Sequence, residues 1–348
     1  MPGLKGSVLI TGANGGLGSA FVSNFIKSTY GSQYRGLYLV RNPSTATDLN
    51  AVLRSAPASH TSEVLPMDLS SLQSIRGLAA NINTRVANGT LEPLRAVILN
   101  AAFQEAHGGT LKAKTFTTEG YEAHFGVNYL ANFLFVLLIL RSMDKSHGRI
   151  VIVSSTVHDV HDKANSTVGA FDKEEYQTVL TDTEDLAKGI EYTDDGFKAG
   201  VRRYGASKTL LVMFMFELQR RLNADPVLSN LSILAVDPGL MGGTKLTRNG
   251  LMILKIISQV AYLFQDIIVW LKPNGSLRSP KKSGADLLRG AFDEEELGQH
   301  PKAVYLNGSE PKVAGKEARD EEKQRRLWTE SLKLAGVEEG DTALKDWN

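Results

Sequence analysis

Residues 7–27 read SVLITGANGGLGSAFVSNFIK, and three kinds of local physics follow one another there. Ser7–Thr11 is a short, almost wholly apolar run, the pattern of a strand buried on both faces. Gly12, Gly15, Gly16 and Gly18 then turn the chain without side-chain bulk, and the stretch to Lys27 repeats its apolar residues at helical spacing. Strand, glycine turn and helix start leave free N–H groups at the positive end of a helix dipole, where an anion such as a phosphate can sit. The spacing Thr11-Gly12-x-Asn14-x-Gly16-Leu17-Gly18 is not the G-x-G-x-x-G of many dinucleotide folds. A glycine-rich turn by itself is often only a turn. Its place between a strand and a helix favours a cofactor loop.

Working outward, Gly36–Val40 reads as a second strand ending in Arg41. Sites that hold NAD place an acid about 20 residues past the glycines to bind the ribose 2′-OH. Arg41 stands there instead and would pair with a 2′-phosphate, which predicts NADP(H). The bland alternative is a surface arginine opening a loop. Thr47–Arg54 reads as helix and Glu63–Met67 as strand, ending at Asp68 and Leu69. Ser70–Val86 is helix again, and Arg95–Leu99 is a strand ending in Asn100, Ala101 and Ala102. This alternation predicts an α/β fold, a parallel sheet with helices on both faces. Ligands of such sheets lie beyond the carboxyl ends of the strands, so Asp68 and Asn100 are candidates to touch adenine and ribose.

Tyr121–Arg141 reads as a long apolar helix with one interior amide, Asn128, which needs a partner if it is buried. Arg149–Val153 is a fifth strand, ending at Ser154 and Ser155. A polar, acidic insertion of 48 residues then separates Ser155 from Tyr204, long for a strand-to-helix connection. It opens with His158, Asp159, His161 and Asp162, which lack a third ligand group at metal spacing, so no metal is expected. No G-x-S-x-G elbow supports a hydrolase serine. Val201–Leu222 is a helix carrying Tyr204 and Lys208, four residues apart and therefore on one face. An ammonium beside a phenol should lower its pKa from about 10 and make an acid/base pair. A half-buried Tyr beside an exposed Lys is the ordinary explanation of such a pair.

Leu231–Val236 is a sixth strand, ending in Asp237, Pro238 and Gly239. Residues 251–271, LMILKIISQVAYLFQDIIVWL, are long enough for a membrane span. Lys255, Gln259, Tyr262 and Asp266 form one polar stripe along them, which a bilayer would penalise. Amphipathic helices closing over an apolar pocket are the preferred reading, with docking on a membrane surface second. Ala303–Leu306 is a seventh strand, and Glu317–Ala335 is a helix with Leu327, Leu332 and Leu334 on one stripe.

The 348 residues carry a net charge of +1 and no cysteine, which removes disulfides and thiolate metal sites. Mixed charge argues against nucleic-acid binding. The N-terminus reaches its first strand without the apolar core of a signal peptide, so a cytoplasmic protein is expected.

Taken together, Thr11-Gly12-x-x-x-Gly16-x-Gly18, Asp68, Asn100-Ala101-Ala102, Asn128, Ser155, Tyr204-x-x-x-Lys208 and Pro238-Gly239 resemble the short-chain dehydrogenase/reductase family, in the family's order over residues 5–245. LVRN at the second strand end and RRLWTESLKLAG near the C-terminus look like the retinol-dehydrogenase and protochlorophyllide-reductase branch and related fungal reductases. The resemblance implies a Rossmann-like, doubly wound sheet of about seven strands in the order 3-2-1-4-5-6-7. It implies one domain over residues 1–348, with an insertion at 157–200 and a substrate cover at 240–300.

NADPH would lie on Thr11, Gly12, Asn14, Gly16, Leu17 and Gly18, with Arg41, Asp68, Leu69, Asn100, Ala101, Pro238 and Gly239 along it. Tyr204 would donate a proton to a carbonyl oxygen that Ser155 binds. Lys208 would lower the Tyr204 pKa and hold the nicotinamide ribose, and Asn128 would hold a relay water. Asn-Ala-Ala replaces the family's usual Asn-Ala-Gly, and the insertion and the segment after Gly239 are enlarged. The expected substrate is a bulky apolar ketone, aldehyde or alcohol. The alternatives are a reductase working at a membrane surface and a cofactor sensor without turnover, although a sensor should have lost part of the acid/base set. A homodimer through the helices bearing Asn128 and Tyr204 is left open.

Overall fold

The central strands of the computed structural model are short because each is apolar over only five to seven residues before a turn residue ends it. The structure describes residues 3–105, 114–192, 196–241 and 265–348. β1 (Gly6–Thr11) is buried at every position, as are β4 (Leu94–Leu99), β5 (Arg149–Val153) and β6 (Ser232–Asp237). Strands with no solvent face belong in the middle of a sheet covered on both sides. β2 (Tyr34–Val40) and β3 (Ser62–Pro66) run outward from β1, and β3 at that edge is the more exposed of the two.

The order is β3-β2-β1-β4-β5-β6-β9-β10, with β9 at Tyr305–Asn307 and β10 at Glu310–Pro311. The first seven are parallel in the expected order. The sheet has eight strands rather than about seven, because the turn at Gly308 folds β10 back antiparallel onto β9. The strand expected at Ala303–Leu306 starts later, since Ala303 has a φ of 51°, which extended backbone cannot accommodate. Leu240–Met241 (β7) and Leu277–Arg278 (β8) form a separate two-stranded ribbon.

On one face lie α1 (Gly16–Lys27), α2 (Thr47–Arg54) and α8 (Pro280–Phe292). α3 (Leu72–Ala87), α4 (Ala131–Ile139), α6 (Gly196–Ala224) and α9 (Glu321–Ala335) cover the other. The helix expected from Tyr121 begins at His124, with a π-type turn over His124–Leu130 before α4. His124–Ser142 is 19 residues long with a mean hydropathy of 1.6, enough to cross a membrane by length and composition, but 94% of that window is buried inside the protein. It is a core helix. α6 starts at Gly196 rather than Val201. α9 seats Trp328 against Phe133 of α4 and Phe214 of α6, at 5.2 and 6.1 Å between rings. The C-terminal helix therefore covers part of the surface through which a dimer was considered.

The long insertion contains one short helix, α5 (Thr183–Lys188), started by the Asp182 side chain accepting the Asp185 amide. It is docked on the C-terminal segment by polar contacts. The Glu317 carboxylate accepts the Val179 and Leu180 amides at 2.8 and 2.9 Å, and Lys312 pairs with Asp162 at 2.6 Å. Of residues 251–271 only α7 (Gln265–Leu271) is described. Its Ile267, Trp270 and Leu271 are 60%, 81% and 65% exposed. The remainder, including Lys255, Gln259 and Tyr262, lies outside the described residues.

Candidate active site

The glycine turn packs too closely for side chains. A Cβ on Gly18 would stand 2.3 Å from the Gly12 carbonyl oxygen, and Gly12 itself has a φ of 67°. Gly15 at the N-cap of α1 offers no side-chain acceptor, and no acid lies in the first turn. The donors at this helix end, beside Gly16 and the buried Leu17, thus keep both the room and the polarity that a phosphate requires.

Thr11 and Asn100 turn out to be struts of this crevice. The Thr11 hydroxyl accepts the Asn100 and Ala101 amides at 3.0 and 2.9 Å, and the Asn100 side chain donates to the Thr11 and Gly12 carbonyls at 2.8 and 3.2 Å. They tie the ends of β1 and β4 together and set the shape of the glycine turn. Asn14 is likewise committed: its side-chain oxygen accepts the Asp48 and Leu49 amides at the start of α2, at 2.9 and 3.1 Å. Arg41 projects from the end of β2 with a side chain 72% exposed, 3.7 Å from the Asp68 carboxylate. Burial would raise the Asp68 pKa, but the Ser70 hydroxyl and amide, with Arg41, hold it below the usual carboxylate value. Leu69 is buried behind it. These residues fit an adenosine carrying a 2′-phosphate: the arginine is free to turn, and the acid beside it is already occupied.

At the other end of the crevice the catalytic candidates converge from separate elements. Lys208 is 2% exposed, and its ammonium donates to the Val153 carbonyl at the end of β5 at 2.8 Å. Its nitrogen lies 5.5 Å from the centroid of the Tyr204 ring, which is 8% exposed. α6 can approach the turn after β5 because position 205 is glycine; a Cβ there would meet the Val157 carbonyl oxygen at 2.9 Å. Ser155 is partly exposed, whereas Ser154 is buried against Tyr305.

Asn128 exchanges two bonds with the Phe103 backbone, at 2.6 and 2.9 Å, and donates to Ser207 of α6 at 3.0 Å. Its main-chain carbonyl takes the Asn132 side chain at 2.8 Å. Pro238 is buried, with its carbonyl taken by Ser283, and Gly239 has a φ of 70°.

One expectation is reversed. Lys208 does not lower the Tyr204 pKa in this arrangement. Burial, reinforced by the Asp237 carboxylate, pushes the phenol above its ordinary value. Burial also lowers Lys208 to about 8, against an opposing pull from Asp237. The reason is geometric: the ammonium is directed at a backbone carbonyl, and both groups are out of water.

Sequence reasoning passed over His124, buried beside Tyr204 at 6.4 Å between rings, with Glu122 holding its Nδ1 at 2.6 Å. As a metal ligand or as the partner of a hydrolase Ser155, His158 has no support in the sequence. Its Nδ1 faces the Ser155 carbonyl at 2.8 Å and its Nε2 accepts the Gly315 amide at 3.0 Å, so both nitrogens are used in holding the catalytic turn. Spacing alone does not show either role, since His124 meets Tyr204 from far along the chain and His158 is held through backbone groups. A small pocket of about 10 Å³ between Glu122, Tyr192, Arg203 and Leu210 lies on another flank of α6, and none of the proposed cofactor residues lines it.

Comparison with known proteins fits this geometry. A family model described as short chain dehydrogenase matches residues 6–170. The chain is 42% identical to the short-chain dehydrogenase iccH of Talaromyces variabilis over 99% of both chains. It is 29% identical to a polyprenol dehydrogenase of Mus musculus, over 97% of this chain and 86% of that one. Among solved structures, a short chain dehydrogenase of Burkholderia cenocepacia in complex with NADP superposes with a TM-score of 0.55, at 16% identity, over 87% of this chain and 96% of that one. With its glycine turn, parallel sheet and buried Tyr-Lys helix, this chain belongs to the short-chain dehydrogenase/reductase family and is a nicotinamide-nucleotide-dependent oxidoreductase.

Proposed function

We propose that this protein uses NADPH to reduce a ketone or aldehyde on a bulky apolar molecule such as a polyketide, terpenoid or steroid-like metabolite. The same site runs the alcohol oxidation when the cofactor ratio reverses. The observation that carries this reading is the meeting of Tyr204, Lys208 and the end of β5 at Ser155, on the same sheet edge as the glycine turn. Arg41 supports the phosphorylated cofactor, as does the fold shared with a relative solved with NADP. NADPH, when bound, supplies the hydride.

The chain's own residues do the rest. Tyr204 donates its phenolic proton to the substrate oxygen, and its raised proton affinity keeps it a phenol, the form that has a proton to give, at neutral pH. The Ser155 hydroxyl holds the same oxygen. Lys208 fixes the ribose side of the site and supplies positive charge. Asn128 locks the Phe103 loop to α6 and, in this reading, holds a relay water.

The apolar character of the substrate rests on the 251–271 sequence and on a relative named for a polyprenol. Exposed Ile267, Trp270 and Leu271 favour a second reading, in which a cytoplasmic enzyme takes its substrate at a lipid surface. NADPH oxidation against a panel of apolar ketones and aldehydes, with NADH in parallel, tests the activity, and absence of turnover on every one would sink it. Partition between soluble and membrane fractions separates the two readings.

A further inference from the structure

β6 ends in a buried acid whose charge the reaction scheme leaves unused. Asp237 is 3% exposed. One of its carboxylate oxygens accepts the Gly239 amide at 2.8 Å and the other accepts the Thr156 hydroxyl. Thr156 follows Ser155, and Gly239 belongs to the turn at the nicotinamide end of the proposed crevice, so one side chain ties the two loops together. An asparagine could make both bonds, accepting from Gly239 and donating to Thr156. The negative charge therefore needs its own reason, because burying an ionised carboxylate is costly.

The neighbouring strand supplies that reason. β5 and β6 run parallel, with Val153 opposite Val236 and the Ser154 amide on the Val236 carbonyl at 2.9 Å. The Lys208 ammonium sits on the Val153 carbonyl, so ammonium and carboxylate occupy the ends of adjacent strands at one level. Among the described residues no carboxylate lies within ion-pair distance of Lys208. The groups that feel Asp237 come from every element around it: Tyr204 and Lys208 on α6, His158 after β5, Arg278 on β8 and Tyr305 on β9. Arg278, the other cation, donates to the Asp237 main-chain carbonyl at 2.6 Å.

We propose that Asp237 is a positioning residue whose buried negative charge keeps Lys208 as ammonium and Tyr204 as phenol, while its two hydrogen bonds hold the Ser155 loop against the Pro238–Gly239 turn. The kinetic consequence rests on Tyr204 being the proton donor of the reductase reading; the charge pairing does not.

The test replaces Asp237→Asn, which keeps both hydrogen bonds and removes the charge. The alkaline limb of kcat for carbonyl reduction should move toward acid by about one pH unit, the low end of what a neighbouring charge produces. A limb unmoved from wild type overturns the proposal. A second measurement needs no turnover: a cycle of Asp237→Asn and Lys208→Met in urea denaturation. Asp237→Asn should lower the midpoint less when Lys208 is already methionine, and strict additivity refutes the pairing. If wild type reduces no carbonyl, the reductase reading fails and the cycle still decides this one. Should Asp237→Asn not fold, Asp237→Ser retains an acceptor for Gly239 and puts the same question.

Discussion

The cofactor loop and the catalytic corner sit on one edge of one sheet, yet they are built from different material. Around Gly12, the turn, its helix and the strands beside it come from the first 101 residues, and the bonds that shape it run between Thr11, Gly12, Asn100 and Ala101. Around Tyr204, the supports come from Val153, Ser207 and Asn128, from His158 and Asp237, and from Gly315 near the C-terminus. The first region needs space and free backbone donors. The second needs buried charges and amides satisfied at long range. Local backbone geometry can hold a phosphate, but proton transfer requires groups whose protonation is set by everything packed around them.

The sharpest way to break this contrast is at the corner itself. Tyr204→Phe removes the proposed proton donor and little else, so kcat for reduction should fall by about 10²–10⁴-fold, while NADPH affinity measured by fluorescence titration stays close to wild type. Turnover within tenfold of wild type would exclude the mechanism. The matching substitution at the loop is Arg41→Ala. Losing a charge-assisted contact of about 1.5–3 kcal/mol should raise the KM for NADPH by roughly 10–100-fold, with little change for NADH. An equal effect on both cofactors refutes the 2′-phosphate assignment.

Lys208 gives a prediction in pH. Its folded pKa of about 8 lies below the unfolded value of 10.5. The unfolded chain thus binds more protons between these values, and the stability contribution of this group rises with pH from about 8 to 10.5. Below pH 8 the buried ammonium is a standing cost. Denaturant midpoints of Lys208→Met should lack that rise, and a slope identical to wild type would show that the ammonium is not desolvated. The smallest effect concerns the dock of the insertion. Glu317→Gln leaves one of the Val179 and Leu180 amides without its acceptor and should cost about 1 kcal/mol. Faster proteolysis within 157–200, with NADPH binding unchanged, is the expected signature.

Much of the fold was legible because its signals are local. Arg149–Val153 and Thr47–Arg54 fall where apolar runs and helical spacing put them. The strand after residue 300 was misplaced because a single positive φ at Ala303 leaves no mark in hydropathy. Tyr204, Lys208, Ser155 and Asn128 could be picked out by their order and spacing, and the structure gathers them. The Tyr204 proton affinity came out in the opposite direction, since it depends on burial and on Asp237, a residue that the sequence offered only as a strand end.

What the sequence by itself determined is the alternation of strands and helices, the glycine turn and the identity of the residues at the strand ends. Each follows from contacts within a few residues of the chain. What only the tertiary structure decided is which of those residues are struts and how deeply the catalytic candidates are buried. Thr11, Asn14 and Asn100 face inward to hold backbone, and His158 and Asp237 turn out to hold the catalytic corner. Burial, strand register and long-range pairing set those roles, and none of the three is a property of a segment read alone.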